Sequence, residues 1–155
     1  MKNTLSRAQA RENVFLLLFQ ASYNQGSDVE ETLGLSEENL DIKTDKYAQR
    51  VYSGVTAHAE ELDAYIEKAS KNWNKSRISR VAVSCIRLAL YEMLYESLVP
   101  GIAITQAVGI AKKFGDAETA SFVNGILGGI CRANPDKFPP KEEKKSAEPA
   151  EATNE

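Results

Sequence analysis

Residues 78–95 read ISRVAVSCIRLALYEMLY. Val, Ile, Leu and Ala recur through this stretch so densely that, as a helix, it is apolar over much of its circumference. A helix with one apolar stripe lies on a surface, whereas one that is apolar nearly all round is covered on every side. The segment therefore belongs at the centre of a helical bundle, and the rest of the chain has to supply the helices that cover it.

The flanks do so. Upstream, Tyr47, Val51, Val55, Ala59, Leu62, Ile66 and Ala69 form a nearly unbroken stripe at helical spacing, with Thr44 as the expected cap and Gly54 as a point where the helix bends. A loop, KNWNKS at 71–76, separates it from the central helix. Downstream, Val99-Pro100-Gly101 breaks the chain. Ile104, Ala107, Val108, Ala111 and Phe114 then give an amphipathic helix that stops at Gly115. Asp116 caps a last helix with Ala120, Val123, Leu127 and Ile130 on its inner face. At the other end, Val14, Leu17, Leu18 and Ala21 mark a first helix from about Ser6 to Tyr23, closed by Asn24, Gly26 and Ser27. Residues 28–43 carry short apolar groups in an acidic setting and read as one or two short helices or an irregular crossing. No strand-period segment of useful length and no internal repeat occurs, so the class is all-α. Residues 1–133 form a single helical domain. From Asn134 to Glu155 the chain is rich in Pro, Lys, Glu and Ala and reads as a disordered charged tail.

At 155 residues, 43% hydrophobic and 26% charged, the chain suits one soluble domain with an ordinary core. No apolar run approaches the ~18 residues of a membrane span, and LLLF at 16–19 has charge before it and no cleavage pattern behind it, so a cytoplasmic location is expected. Cys85 and Cys131 fall in apolar helical patterns and read as buried thiols. The net charge is −3 but unevenly spread. Between Asp28 and Asp45 stand seven acids against the single Lys43, a segment that repels phosphate. From Lys68 to Arg87 the pattern inverts, with Lys68, Lys71, Lys75, Arg77, Arg80 and Arg87 and no Asp or Glu.

Catalysis finds little support. The one histidine, His58, lies just outside the Val55–Ala59 stripe, and neither cysteine stands at metal-ligand or nucleophile–base spacing to it. The pairs Glu37-Glu38 and Glu60-Glu61 point about 100° apart on a helix and do not converge. Gly125, Gly128 and Gly129 follow the start of a helix without the Lys-Ser/Thr of a phosphate loop. Each costs about 1 kcal/mol there relative to alanine. Either another backbone approaches closely, or a ligand lies against the bare face beside Phe122 and Asn124. A second feature of this kind is SRAQARENVFLLLF at 6–19, where Arg7 and Arg11 stand one turn apart at a helix start. The helix dipole is already positive there, so cations are mildly unfavourable unless an anion docks. No catalytic residue, metal or cofactor is expected.

RLALYEM at 87–93, AITQAVGIAKKFG at 103–115 and SFVNGIL at 121–127, together with ARE at 10–12, YSGV at 52–55 and NWNKSRI at 72–78, resemble in order and spacing the NusB family of bacterial transcription antitermination factors. The resemblance implies two packed three-helix bundles of about six or seven helices and no enzyme activity. It implies binding of the boxA element of ribosomal RNA leaders together with the ribosomal small-subunit protein NusE, in a complex with other Nus factors on RNA polymerase. Arg7 and Arg11 then match a basic arm, Phe122 a stacking face and Asn124 a base-edge contact or a support of the helix crossing, while Lys112 and Lys113 supply phosphate contacts or cap their helix. Tyr23, Trp73, Lys75, Arg77 and Arg80 are the candidates for partner contact, and an apolar bundle surface would permit a homodimer.

The chain departs from the family pattern at several of these places: Ala8 and Gln9 stand where consecutive arginines are usual, Ser121 precedes FVNG, Thr105-Gln106 stands within AITQA, and Ala82-Val83 replaces an acid–base pair. Each phosphate left without its cation takes roughly one unit off the salt slope, so weaker intrinsic RNA binding is expected. The alternative is a helical protein-interaction module of the same fold with weakened RNA binding.

Overall fold

The computed structural model describes residues 5–22, 42–70 and 78–139. Within them the chain forms α1 (Arg7–Ala21), α2 (Lys46–Ala57), α3 (Ala59–Ala69), α4 (Arg80–Tyr95), α5 (Pro100–Phe114) and α6 (Ala117–Ala133), with no strand. Four starts are closed by a side-chain oxygen that accepts a backbone N–H. Ser6 accepts from Gln9 at 3.0 Å, Asp45 from Ala48 at 2.8 Å, Ser79 from Ala82 at 3.0 Å and Asp116 from Thr119 at 2.8 Å. Each such cap stabilises its helix by about 1 kcal/mol. Pro100 occupies the first turn of α5, where its missing N–H costs nothing.

The helix read from 44 to 69 is two helices, and its cap is Asp45 rather than Thr44. His58 leaves the helical region, with φ −106° and ψ 18°, and α3 restarts with Glu60 and Glu61 in its first turn, where the helix dipole favours acids. Gly54 is not the break. A Cβ at that position would overlap the phenol ring of Tyr91, so the glycine lets α4 approach α2.

α4 is the hub. Ala82, Cys85, Ile86, Leu88, Ala89 and Leu90 are all but inaccessible, and the helix packs against each of the other five. α4, α5 and α6 pack mutually, α5 and α6 forming a hairpin about Gly115-Asp116. α1 and α2 pair and lie on α4, and α3 lies on α4 and α6. An ion pair ties α4 or the residue that ends it to each of the first three helices: Arg11–Glu92 to α1, Arg50–Glu96 to α2 and Asp63–Arg87 to α3.

The chain stays folded past Ala133. Asn134 caps α6 through its amide, which donates to the Ile130 carbonyl at 2.8 Å, and Phe138 turns back, 1% exposed, with its ring edge-on to Tyr65 of α3 at 5.6 Å. The expected tail boundary at 134 is thus too early, because the one large apolar side chain beyond it has a place in the core; residues 140–155 lie outside the described residues. Cys85 is buried, which pushes its thiol up to about 12, whereas Cys131 is only half-buried. No helix among the described residues is long and apolar enough to cross a membrane.

Candidate nucleic-acid interface

The start of α1 runs along the edge of the core: Ala10, Val14 and Leu17 are sealed, and Arg11, next to Ala10, is drawn in with them. Its Nε donates to Glu92 Oε1 at 2.7 Å, the two side chains being 7% and 2% exposed. Burial pushes the Glu92 carboxyl above the usual range, and the Arg11 charge and hydrogen bond work against that rise. Arg11 is therefore an internal strut between α1 and α4. The expected pair of outward arginines does not form, since position 11 lies on the apolar side of the helix and an acid on the central helix meets it there.

Arg7 remains near the surface. Its guanidinium carbon sits 3.8 Å over the ring of Tyr47 on α2, within cation–π range, and Arg50 approaches the same ring at 5.6 Å. Tyr47 is 5% exposed, and its hydroxyl is the one buried side-chain polar atom without a hydrogen-bond partner among the described residues.

The last turn of α5 carries the two lysines. Lys113 Nζ donates to both carboxylate oxygens of Glu12, at 3.1 and 3.0 Å, which ties α5 to α1 beside the contact of Phe114 with Phe15 at 5.2 Å. Lys112 is exposed. Both stand at a negative helix end, which they stabilise. Across the Gly115-Asp116 turn, Phe122 is half-buried and Ser121 and Asn124 are exposed on the second turn of α6, so the lysines and these groups share one end of the hairpin.

Of the two explanations for the α6 glycines, close backbone approach finds no support among the described residues. Among these residues, a Cβ at Gly125 would meet nothing within 4 Å, and those at Gly128 and Gly129 only the flexible end of Arg132. Gly101 and Gly109 on α5 are open in the same way. Gly125, beside Asn124, is exposed, and no described residue covers it.

Among the partner candidates, Tyr23, Trp73, Lys75 and Arg77 lie outside the described residues. Arg80 opens α4 and donates through Nη1 to the carbonyl of Ser22, at the end of α1. His58 stands partly exposed between α2 and α3. Among the described residues no group of three or more His, Cys, Asp or Glu side chains is placed to hold a metal ion. Sequence reasoning missed Tyr47, Glu12 and Glu92. Glu92 had a signal, as an acid inside an apolar helix needs a buried cation.

The model of the NusB family matches residues 8–132. The transcription antitermination protein NusB of Agathobacter rectalis is 37% identical over 127 residues, covering 79% of this chain and 97% of its own. Among solved structures, T. maritima NusB superposes with a TM-score of 0.73 at 31% identity, covering 88% of this chain and 98% of its own. A crystal structure of the antitermination factors NusB and NusE in complex with dsRNA gives 0.72 at 29% identity, covering 82% and 96%.

Proposed function

Because the chain belongs to the NusB family, we propose that it is a transcription antitermination factor that binds boxA-type RNA of ribosomal RNA leaders together with NusE, and joins other Nus factors on RNA polymerase. The observation that carries this reading is the end of the α5–α6 hairpin. There an exposed lysine, a half-buried phenylalanine face, an exposed asparagine and bare glycine backbone stand together. Single-stranded RNA needs these groups: a cation for phosphate, a ring for a base, an amide for a base edge and room for close approach. Arg7, Lys112, Lys113, Phe122 and Asn124 make up the RNA face, and Arg11 supports it from inside.

The cations of that face are few. Arg11 is sealed on Glu92, Lys113 is shared with Glu12, and Arg7 rests on Tyr47, which leaves Lys112 as the lysine with no acid partner among the described residues. RNA affinity therefore rests on the protein partner, which contributes phosphate contacts of its own. Titration of labelled boxA-type RNA at two salt concentrations, with and without NusE, tests this. Tighter binding and a steeper salt slope with the partner support it, and no gain over scrambled RNA in either condition refutes it. Partner association that survives without RNA selectivity would instead identify the interaction module with weakened RNA binding.

A further inference from the structure

On the side of the molecule formed by α2, α3 and the end of α4 lies a second organised surface that the RNA reading does not use. The break at His58 turns its imidazole onto Tyr95, with ring centroids 4.4 Å apart and planes 24° from parallel, and Tyr95 in turn stacks on Tyr91 at 5.0 Å. Tyr95 is 44% exposed, the most exposed large hydrophobic side chain described. One carboxylate fixes the plate. Glu61 Oε1 accepts from the Tyr95 hydroxyl at 2.6 Å and lies 3.2 Å from His58 Nδ1. That hydrogen bond is the main reason the Tyr95 hydroxyl is pushed up to about 12, so it stays a donor throughout the physiological range. Glu61 Oε2 has no partner among the described residues, and Glu60 beside it is exposed. Arg50, close enough to act on the Tyr91 hydroxyl, is already held by both oxygens of Glu96, at 2.9 and 2.8 Å.

We infer that this plate is a docking surface for an arginine-bearing basic segment of a protein partner, the guanidinium lying flat on an open face of the His58–Tyr95 stack with its edge on Glu61. The chemistry selects that occupant. An exposed ring stack attracts a cation through its face, and a planar guanidinium satisfies ring and carboxylate at once in a way that a rounder ammonium does not. Tyrosine and arginine are also the residues on which interface energy concentrates. Phosphate is repelled by Glu60 and Glu61, so the surface does not continue the RNA face. The inference stands independently of RNA binding.

The test is an amide-resolved NMR titration of the full-length, isotope-labelled chain with an acetylated peptide of four Gly-Arg repeats, with a Gly-Lys counterpart and a short uridine-rich RNA as separate arms. Shifts confined to the neighbourhoods of residues 58–61 and 91–96 are expected, with the lysine peptide weaker. Tyr95→Ser and Glu61→Gln should each weaken the arginine peptide by about three- to fivefold, the range an exposed cation–π contact allows. Glu118→Gln, an exposed acid on α6, should change nothing. The inference fails if shifts spread over surface acids generally, if Glu118→Gln weakens binding as much as Glu61→Gln, if the RNA perturbs this patch, or if no site-specific shift is seen.

Discussion

Replacing Arg11 by Met separates an RNA-contacting arginine from an internal one. The methionine keeps much of the aliphatic stem and removes the charge, so the main loss is the partner of Glu92, a carboxylate 2% exposed. With Nε and Oε1 at 2.7 Å the charge centres are about 4 Å apart, an attraction of ~4 kcal/mol at an effective dielectric of 20. Breaking a buried pair on one side costs a similar ~3–5 kcal/mol, because the remaining ion is left desolvated and alone. Urea unfolding should report a loss of this order at neutral pH. The loss should shrink on acidification: the Glu92 carboxyl already stands above its ordinary value, and without the arginine it rises further. A carboxyl raised in the folded state favours folding below its unfolded pKa, and that contribution disappears as pH rises through the folded value. Arg11→Met is therefore most harmful at neutral pH and milder where Glu92 is protonated. Arg11→Met/Glu92→Gln should regain most of the loss. For RNA the expectation is opposite to that of a phosphate ligand, with the salt slope unchanged in whatever fraction is folded. A stability loss below ~1 kcal/mol, together with a slope that falls as much as in Arg7→Ala, would refute the reasoning.

Lys112→Ala and Arg7→Ala should each lower the salt slope of RNA binding by about 0.7, the single-strand value per phosphate. Glu12→Gln should raise affinity by releasing Lys113 from its ion pair, and fluorescence titrations in varied salt read all three variants. Gly125→Ala, in open space within α6, should stabilise the protein by up to ~1 kcal/mol while weakening RNA binding, whereas Gly54→Ala should destabilise it through its overlap with Tyr91; calorimetry against RNA titration separates the two. Truncation after Ala133 should cost about 1.5–3 kcal/mol for the burial of Phe138 that it removes, and truncation after Pro139 should preserve it, as denaturant midpoints will show.

The helices were legible in the sequence wherever periodicity and a cap agreed. ISRVAVSCIRLALYEMLY reads as a central helix because burial on all sides leaves no polar stripe, and α4 is indeed the helix that touches every other described one. The resemblance carried by FVNGIL and its companions led to the right family. The failures share one cause, since each needed a contact between residues far apart in sequence. The apolar stripe of residues 47–69 runs through His58 without a mark, because a break that keeps both halves on the same core leaves the hydrophobic pattern intact. Gly54 looked like a hinge, and only the Tyr91 ring on another helix gives it a purpose. Phe138 looked like part of a polar tail until Tyr65, far back in the chain, supplied its contact. Arg11 is the sharpest case. Spacing places Arg7 and Arg11 side by side, but whether an arginine turns out or in depends on Glu92, 81 residues away.

That last dependence bears on how the RNA face is held. The three ion pairs of α4 differ in exposure: Arg11–Glu92 is sealed, Arg87–Asp63 is 24% and 10% exposed, and Arg50 is 54% exposed on a Glu96 that is 17% exposed. Solvent and salt screen the outermost pair most and the innermost least. The tie that fixes α1 to the hub is thus the one least affected by salt, while the contacts that α1 and α5 offer to RNA are surface contacts that salt weakens. In a salt titration the scaffold should hold its geometry as the ligand leaves, so the measured slope counts phosphate contacts and carries no hidden term from the unfastening of α1.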